Sequence, residues 1–569
     1  MQQPRFYMIA RILVVSAIIQ LSILPSTAQP LSKKNVLTHA DTLRGTYGSS
    51  RDWWNVTKYN LNVVFNISDS TITGQNIIQF KTLKKGGVMQ IDLQEPMILD
   101  GYQFHSGAPS SGELLLEDFR KDGNAYFIDP PAECKKTSSK LNYLTLFFHG
   151  KPRVAVRPPW DGGLIWKKDK SKSPWVTIAC QGLGASVWYP CKDHQSDEPD
   201  SAEMRITCPD TLVCVGNGRM RYKKNNGNGT ATYDWYVVNP INNYCIIPYI
   251  GKYVHFGETY KGEKGNLAMD YWVLDSNLEK AKKQFTDAAR MMKAFEYWFG
   301  PYPFYEDGYK LVDAPHLGME HQSATAYGNG YRMGYAGRDL SGTGWGLKWD
   351  FIIVHESGHE WFANNITTKD IADMWVHESF TNYSETLFID YYYGKEAGND
   401  YVIGTRKLIA NDEPIIGQYG VNKEGSGDMY YKGGNMLHMI RQLINNDSLF
   451  RNILRGLNKT FYHQTVTTQQ VEDYMSKQAK TDLSKIFDQY LRTTQVPKFE
   501  YRIANGTLTY KWSNCVPGFN MPVKVLVAKD RYEWVTASDT ETKTITVDLE
   551  KEDDFKVDRN FYVLLEKMK

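Results

Sequence analysis

Residues 351–378 read FIIVHESGHEWFANNITTKDIADMWVHE, and the spacing inside this stretch decides what must surround it. His355 and His359 are four positions apart. An α-helix turns once every 3.6 residues, so the two imidazoles stack on one face and can share a metal. Glu356 lies between them and can reach a water on that metal. Glu378, nineteen positions after His359, suits a third ligand on a second helix packed beside the first. Three protein ligands leave one tetrahedral position open, which a catalytic zinc needs and a structural zinc lacks. Phe351, Ile352, Val354, Trp361 and Phe362 surround the motif as they would in a buried helix. Two imidazoles and a carboxylate buried without a metal would leave polar groups to pair. Gly358 costs a helix interior about 1 kcal/mol relative to Ala; a close-packed backbone or a nearby substrate would explain it. The stretch therefore reads as the centre of a hydrolase with one zinc per chain.

A chain of 569 residues suits about three domains, with ample core to bury. Its net charge of +2, with acids and bases mixed, gives no case for a nucleic-acid partner. The N-terminus carries Arg5 and Arg11, then an apolar run from Ile12 to Leu24, then Ser26-Thr27-Ala28. That run is too short to span a bilayer, so residues 1–28 read as a cleaved signal peptide. The mature chain is expected to start near Gln29 and to be secreted or periplasmic, with no membrane span left. Of the seven cysteines (Cys134, Cys180, Cys191, Cys208, Cys214, Cys245 and Cys515), Cys208 and Cys214 are close enough to bridge across a hairpin. An odd count leaves at least one unpaired or all reduced, and connectivity stays open. No C-x-x-C pair is present, and Cys191 suits a small buried hydrophobe better than a reactive thiol.

From Tyr59, the residues Tyr59, Leu61, Val63, Phe65 and Ile67 alternate with polar ones, as in a half-buried strand. Short strands recur through MQIDL, YFIDP, LNYLTLFFHG, ATYDWYVV and YCIIPYIGKY. Helical periodicity takes over at Asn277 and continues to FDQYLRTT; alternation returns after Pro497. The fold expected is multidomain α+β, with a β-rich domain over 29–256, a mostly helical zinc catalytic domain over 257–496, and a β-sandwich over 497–569. The glycine- and tyrosine-rich stretch AYGNGYRMGYAGRDLSGTGWG between motifs is expected to form a cleft rim or lid.

Four segments together, and their order, resemble the aminopeptidase N-like zinc metallopeptidases, the gluzincin family that also contains the leukotriene hydrolase. HESGHEWFANNIT with DMWVHESFTNYSE is similar to that family's zinc helices. HLGMEHQ is similar to its exopeptidase motif, usually Gly-Ala-Met-Glu-Asn; YYKGGNML to its tyrosine segment; and QGLGASVWYPCKD to its Gln-containing segment. The resemblance implies a saddle-like N-terminal domain and a thermolysin-like catalytic domain. It assigns metal ligation to His355, His359 and Glu378, the general base to Glu356 and the oxyanion donor to Tyr430. Glu320 becomes the ligand of a substrate's free amine, with Gln181, Gly318 and Met319 also binding substrate. The expected activity is removal of single residues from peptides with a free N-terminus. An epoxide hydrolase like the leukotriene enzyme, or a non-catalytic peptide-binding protein on the same fold, are the alternatives.

The family motif's first and last residues, Gly and Asn, are here Leu317 and His321, which bears on the shape of the adjoining subsite. Many relatives end in a large helical domain; residues 497–569 are too few for one, so a more open cleft is expected. Oligomeric state and the preferred first residue have no signature in the sequence.

Overall fold

A computed structural model describes residues 36–106, 114–116, 118–137, 140–549 and 551–568; the expected signal peptide lies outside the described residues. The β-rich N-terminal part is built on a seven-stranded sheet. Its centre is Trp54–Asn66, antiparallel to Thr71–Thr82 and parallel to Ser201–Pro209. Tyr59, Leu61, Val63 and Phe65 all point into the core from the central strand while Asn62 and Val64 face outward, so the period-2 pattern sets the register. A smaller sheet orders Val213–Val215, Tyr249–Gly251, Pro174–Ala179 and Gly163–Lys168. The run YCIIPYIGKY gives less strand than its alternation suggests. It folds as a 3₁₀ turn at Asn243–Cys245 and a three-residue strand at Tyr249–Gly251, because Pro248 has no N–H to donate to a ladder.

The catalytic part opens with a five-stranded sheet: β1 (Tyr253–Gly262), β2 (Gly265–Leu274), β3 (Tyr309–Asp313), β4 (Gly318–Met319) and β5 (Thr325–Tyr327). β1 pairs along its length with β2, so it runs straight across the expected boundary at 256, and this sheet begins at Tyr253. The order is β1-β2-β3-β5-β4, which leaves β4 on an edge, antiparallel to β5. Helices α1 (Thr286–Phe299), α2 (Phe351–Gly358), α3 (Trp375–Tyr393) and α4 (Tyr431–Ile444) pack behind it. Phe295, Phe299, Trp361, Phe362, Phe380 and Phe388 are buried where they meet. Each such side chain contributes roughly 1.5–3 kcal/mol on leaving water.

After the helices, a four-stranded sheet and the hairpin Pro522–Ala528/Arg531–Thr536 enclose Phe499, Trp512, Phe519 and Val523. This C-terminal unit is latched to the back of α4, where His438 Nε2 lies 3.0 Å from Asn560 Oδ1. All seven cysteines are free: Cys208 and Cys214 stand on strands of different sheets and are not bridged. Among the described residues no helix is long and apolar enough to cross a membrane.

Candidate active site

The site grows from the N-terminus of α2. Asp350 caps it, accepting from the N–H groups of Ile352 and Ile353 and also from Gln284, Tyr327 and Asn329. The helix then carries His355 and Glu356 and ends at His359. Just beyond, the chain kinks through Phe362 (φ −127°, ψ 86°) and Ala363 (φ 146°, ψ −52°). The kink turns the Phe362 carbonyl back onto His359 Nδ1, at 3.1 Å, which fixes the ring and directs Nε2 into the cleft. Gly358 is explained by packing: a Cβ there would lie 2.7 Å from Ser384 Oγ and 3.1 Å from Thr381 Cγ2, so α2 and α3 approach backbone-close.

On α3, Glu378 Oε2 faces both rings, 3.4 Å from His359 Nε2 and 3.8 Å from His355 Nε2. That oxygen is buried with no hydrogen-bond partner. One donor atom from each of the three residues lies within 4.8 Å of the others. A carboxylate oxygen left orphaned opposite two imidazole nitrogens fits a divalent cation and little else. His355 Nδ1 lies 2.7 Å from Glu385 Oε1, a buried carboxylate further held by Tyr401 and Asn382. Such an outer carboxylate orients a ligating imidazole and raises its basicity. Glu385 follows Glu378 by seven residues, two helical turns on the same face.

The remaining residues converge on the same cleft, which is lined by Gln181, Leu317, Gly318, Met319, Glu320, Glu356 and Tyr430 together with the three metal-facing residues. Glu320 follows the edge strand β4 and is buried, its Oε1 accepting from Gln181 Nε2 and from the Tyr244 hydroxyl at 2.9 Å. Its backbone carbonyl accepts from Asn364 Nδ2 at 2.9 Å, just past the kink of the histidine helix. Donor atoms of Glu320, Glu356 and His359 also lie within 4.8 Å of one another. Burial pushes the Glu356 carboxyl up to about 7, against the pull of the two histidines. Burial also raises the Tyr430 phenol well above its ordinary value, and neighbouring carboxylates add to this, so it stays protonated. Its ring stacks on His355 with centroids 6.0 Å apart.

The two departures from the family motif behave differently. Leu317 lines the cleft. His321 does not: it is buried beneath, with Nδ1 2.5 Å from the Tyr249 hydroxyl. Tyr335, from the glycine-rich stretch, joins the cleft wall, and that stretch is tied down by Asn329 bonding to Arg332, Gly334 and Asp350. Tyr244, Asn364 and Glu385 were not singled out from the sequence. Only Glu385 has a spacing that could have found it.

Residues 284–490 match the Peptidase family M1 domain. The leukotriene A-4 hydrolase of Xenopus laevis is 22% identical over 390 residues, which is 63% of this chain and 61% of that protein. The aminopeptidase N of Lactobacillus helveticus is 28% identical over 220 residues, 34% of this chain and 25% of that protein. The chain thus spans less than two thirds of these relatives' lengths. A crystal structure of a mutant M1 zinc metallopeptidase from Deinococcus radiodurans, bound to a Tyr-Ser-Ala substrate, superposes with a TM-score of 0.65 at 18% identity. That match covers 79% of this chain and 97% of the other. The fold is theirs, and the donor set of His355, His359 and Glu378 fits one zinc, which these three residues would hold. Every cleft residue from Glu320 to Tyr430 falls inside the segment that matches the Peptidase family M1 domain, and the chain has the fold of the M1 zinc metallopeptidases.

Proposed function

We propose that this chain is an exported zinc aminopeptidase that hydrolyses the first peptide bond of peptides with a free N-terminus. The observation that carries the reading is Glu320, a buried carboxylate facing the cleft within 4.8 Å of donor atoms on Glu356 and His359. An α-ammonium is its natural complement, and an internal residue offers none. An upper limit of 4.8 Å is on the scale of the ~3.5 Å that one extended residue spans. An amine held there brings the first peptide bond, and not a later one, to the metal-facing residues. Relatives named aminopeptidase N support this reading.

Bound zinc supplies a Lewis acid and lowers the pKa of a water. Glu356 accepts the proton of the attacking water, and the same carboxyl returns it to the departing amine. The protonated Tyr430 hydroxyl donates to the carbonyl oxygen as it gains charge. Gln181 and Tyr244 hold Glu320 so that its second oxygen meets the ammonium. Export rests on the apolar run from Ile12 to Leu24, and N-terminal sequencing of the exported protein should begin near Gln29.

The test uses one peptide in free and N-acetylated forms, with and without a chelator, read by mass spectrometry. Stepwise loss of single residues from the free form alone, abolished by the chelator, is the expected result. Internal cleavage of both forms would overturn the role of Glu320. Zinc binding without cleavage of either would favour the epoxide-hydrolase or peptide-binding alternatives.

A further inference from the structure

Gln181 reaches Glu320 from a tight turn, closed by the Leu183 N–H on the Gln181 carbonyl at 2.7 Å and the Gly184 N–H on the Cys180 carbonyl at 2.6 Å. Gly182 (φ 70°) and Gly184 (φ 101°) flank Leu183 in left-handed conformations, and glycine loses the most conformational freedom on being fixed. The carbonyls of this turn are held from outside as well, Gln94 Nε2 donating to that of Leu183 at 2.7 Å. Arg44, on the short helix His39–Gly45, donates from Nη1 to the Gly182 carbonyl at 2.6 Å and also to the Leu183 carbonyl. Its Nε lies 3.3 Å from the buried carboxylate of Asp193, which also accepts from the backbone and hydroxyl of Ser186. A Cβ at Gly184 would lie 2.3 Å from Arg44 Nη2, so the loop is moulded against this guanidinium.

The same helix is gripped from the catalytic side. Asn422 donates its side-chain amide to the Gly182 carbonyl at 3.0 Å and its backbone N–H to the Asp41 carbonyl at 3.0 Å. The Thr46 hydroxyl donates to the Gly420 carbonyl at 3.1 Å. Arg51, fully buried, closes the C-terminal end of the helix through the carbonyls of Leu43, Arg44 and Thr46. Glu424, two residues beyond Asn422, lines the cleft. The helix is thus a wedge between two cleft-lining segments. The carbonyl next to Gln181 is held at once by Arg44 of the N-terminal part and Asn422 of the catalytic part.

We infer that Arg44 and Asn422 are positioning residues for amine recognition: they fix the Gln181 loop, Gln181 fixes Glu320, and Glu320 takes the substrate's ammonium. Neither side chain touches the reacting bond. The inference rests on the aminopeptidase reading and adds to it a dependence on the segment at the start of the described chain.

The test uses the mature zinc-loaded enzyme, Arg44→Ala, Asn422→Ala and the double variant. Each is assayed on a short peptide with a free N-terminus. Each is also titrated with two competitive inhibitors that differ only in the α-amine, a dipeptide analogue and its des-amino counterpart. Asn422→Ala should raise KM and the amine inhibitor's Ki by roughly 2–10-fold, the effect of one lost hydrogen bond, and Arg44→Ala, which also loses a second hydrogen bond and an ion pair, by at least as much, with kcat moved less in both. The des-amino Ki should stay unchanged, a selectivity that general loosening of the fold would not produce. Because both side chains donate to one carbonyl, the double variant should lose less than the product of the singles. Equal weakening of both inhibitors, or unchanged KM in both variants, would overturn the inference. If Arg44→Ala does not fold, Asn422→Ala carries the same test. A wild-type enzyme that does not distinguish amine from des-amino inhibitor would instead refute the aminopeptidase reading itself.

Discussion

At the scale of single residues, spacing made most of the cleft legible, because a helix converts sequence distance into a shared face. His355, Glu356, His359 and Glu378 were readable from periodicity; Glu320, Gln181, Gly318, Met319 and Tyr430 needed the family resemblance, and the structure brings all nine into one cleft. Tyr244 and Asn364 carried no signal, since each meets Glu320 through tertiary contacts 76 and 44 residues apart. Three substitutions separate the roles. Glu356→Ala should abolish turnover while keeping one zinc per chain by metal analysis. Tyr430→Phe should lower kcat on the order of 10²–10³-fold with KM little changed, as for the loss of one oxyanion donor. Glu385→Ala touches neither substrate nor metal, yet leaves His355 Nδ1 without its carboxylate; zinc affinity should fall roughly 10–100-fold in a chelator competition.

At the scale of elements, the join between α2 and α3 decides the site. Alternation and helical period located the elements, but not how closely they pack or where the histidine helix breaks. The Phe362–Ala363 kink is a backbone event with no residue type to announce it. Gly358→Ala gains about 1 kcal/mol of helix propensity. It also places a methyl 2.7 Å from Ser384 Oγ, so overpacking should win and net stability fall by about 1–3 kcal/mol in denaturant unfolding. Asp350 has a second, pH-dependent signature. Burial pushes its carboxyl up to about 6, opposed by the donors Gln284 and Tyr327. An acid whose folded pKa exceeds its unfolded value contributes stability below the unfolded value and loses it as pH rises through the folded one. Against Asp350→Asn, which does not titrate, the wild type should therefore lose relative stability between about pH 4 and 7 in paired unfolding curves. A constant difference across that window would contradict the assignment.

At the scale of the whole molecule, the cleft belongs to two parts of the chain. Pro159, Trp160 and Gln181 come from the β-rich part and the other lining residues from the catalytic part; none comes from beyond residue 497. The broad β, helical, β succession was legible because periodicity changes at Asn277 and Pro497. The seam near Tyr253 was not, because only Lys252 separates Tyr249–Gly251, in one sheet, from Tyr253–Gly262, in the next, with no change of periodicity to mark it. Zinc bound only by the native arrangement stabilises it by mass action, so a chelator should lower the thermal midpoint and added zinc restore it. The distribution of thiols has a further use. Six of the seven cysteines, from Cys134 to Cys245, are buried in the β-rich part; Cys515 is half-buried in the C-terminal unit, and the catalytic helices have none. The chain therefore carries its own reporter of regional opening. A thiol reagent modifies the five from Cys134 to Cys214 when the β-rich part opens, and Cys245, which touches Glu320 and Asn364, when the seam opens. Loss of zinc reports on the helices, so the order in which the parts come apart can be timed without engineering a probe into the chain.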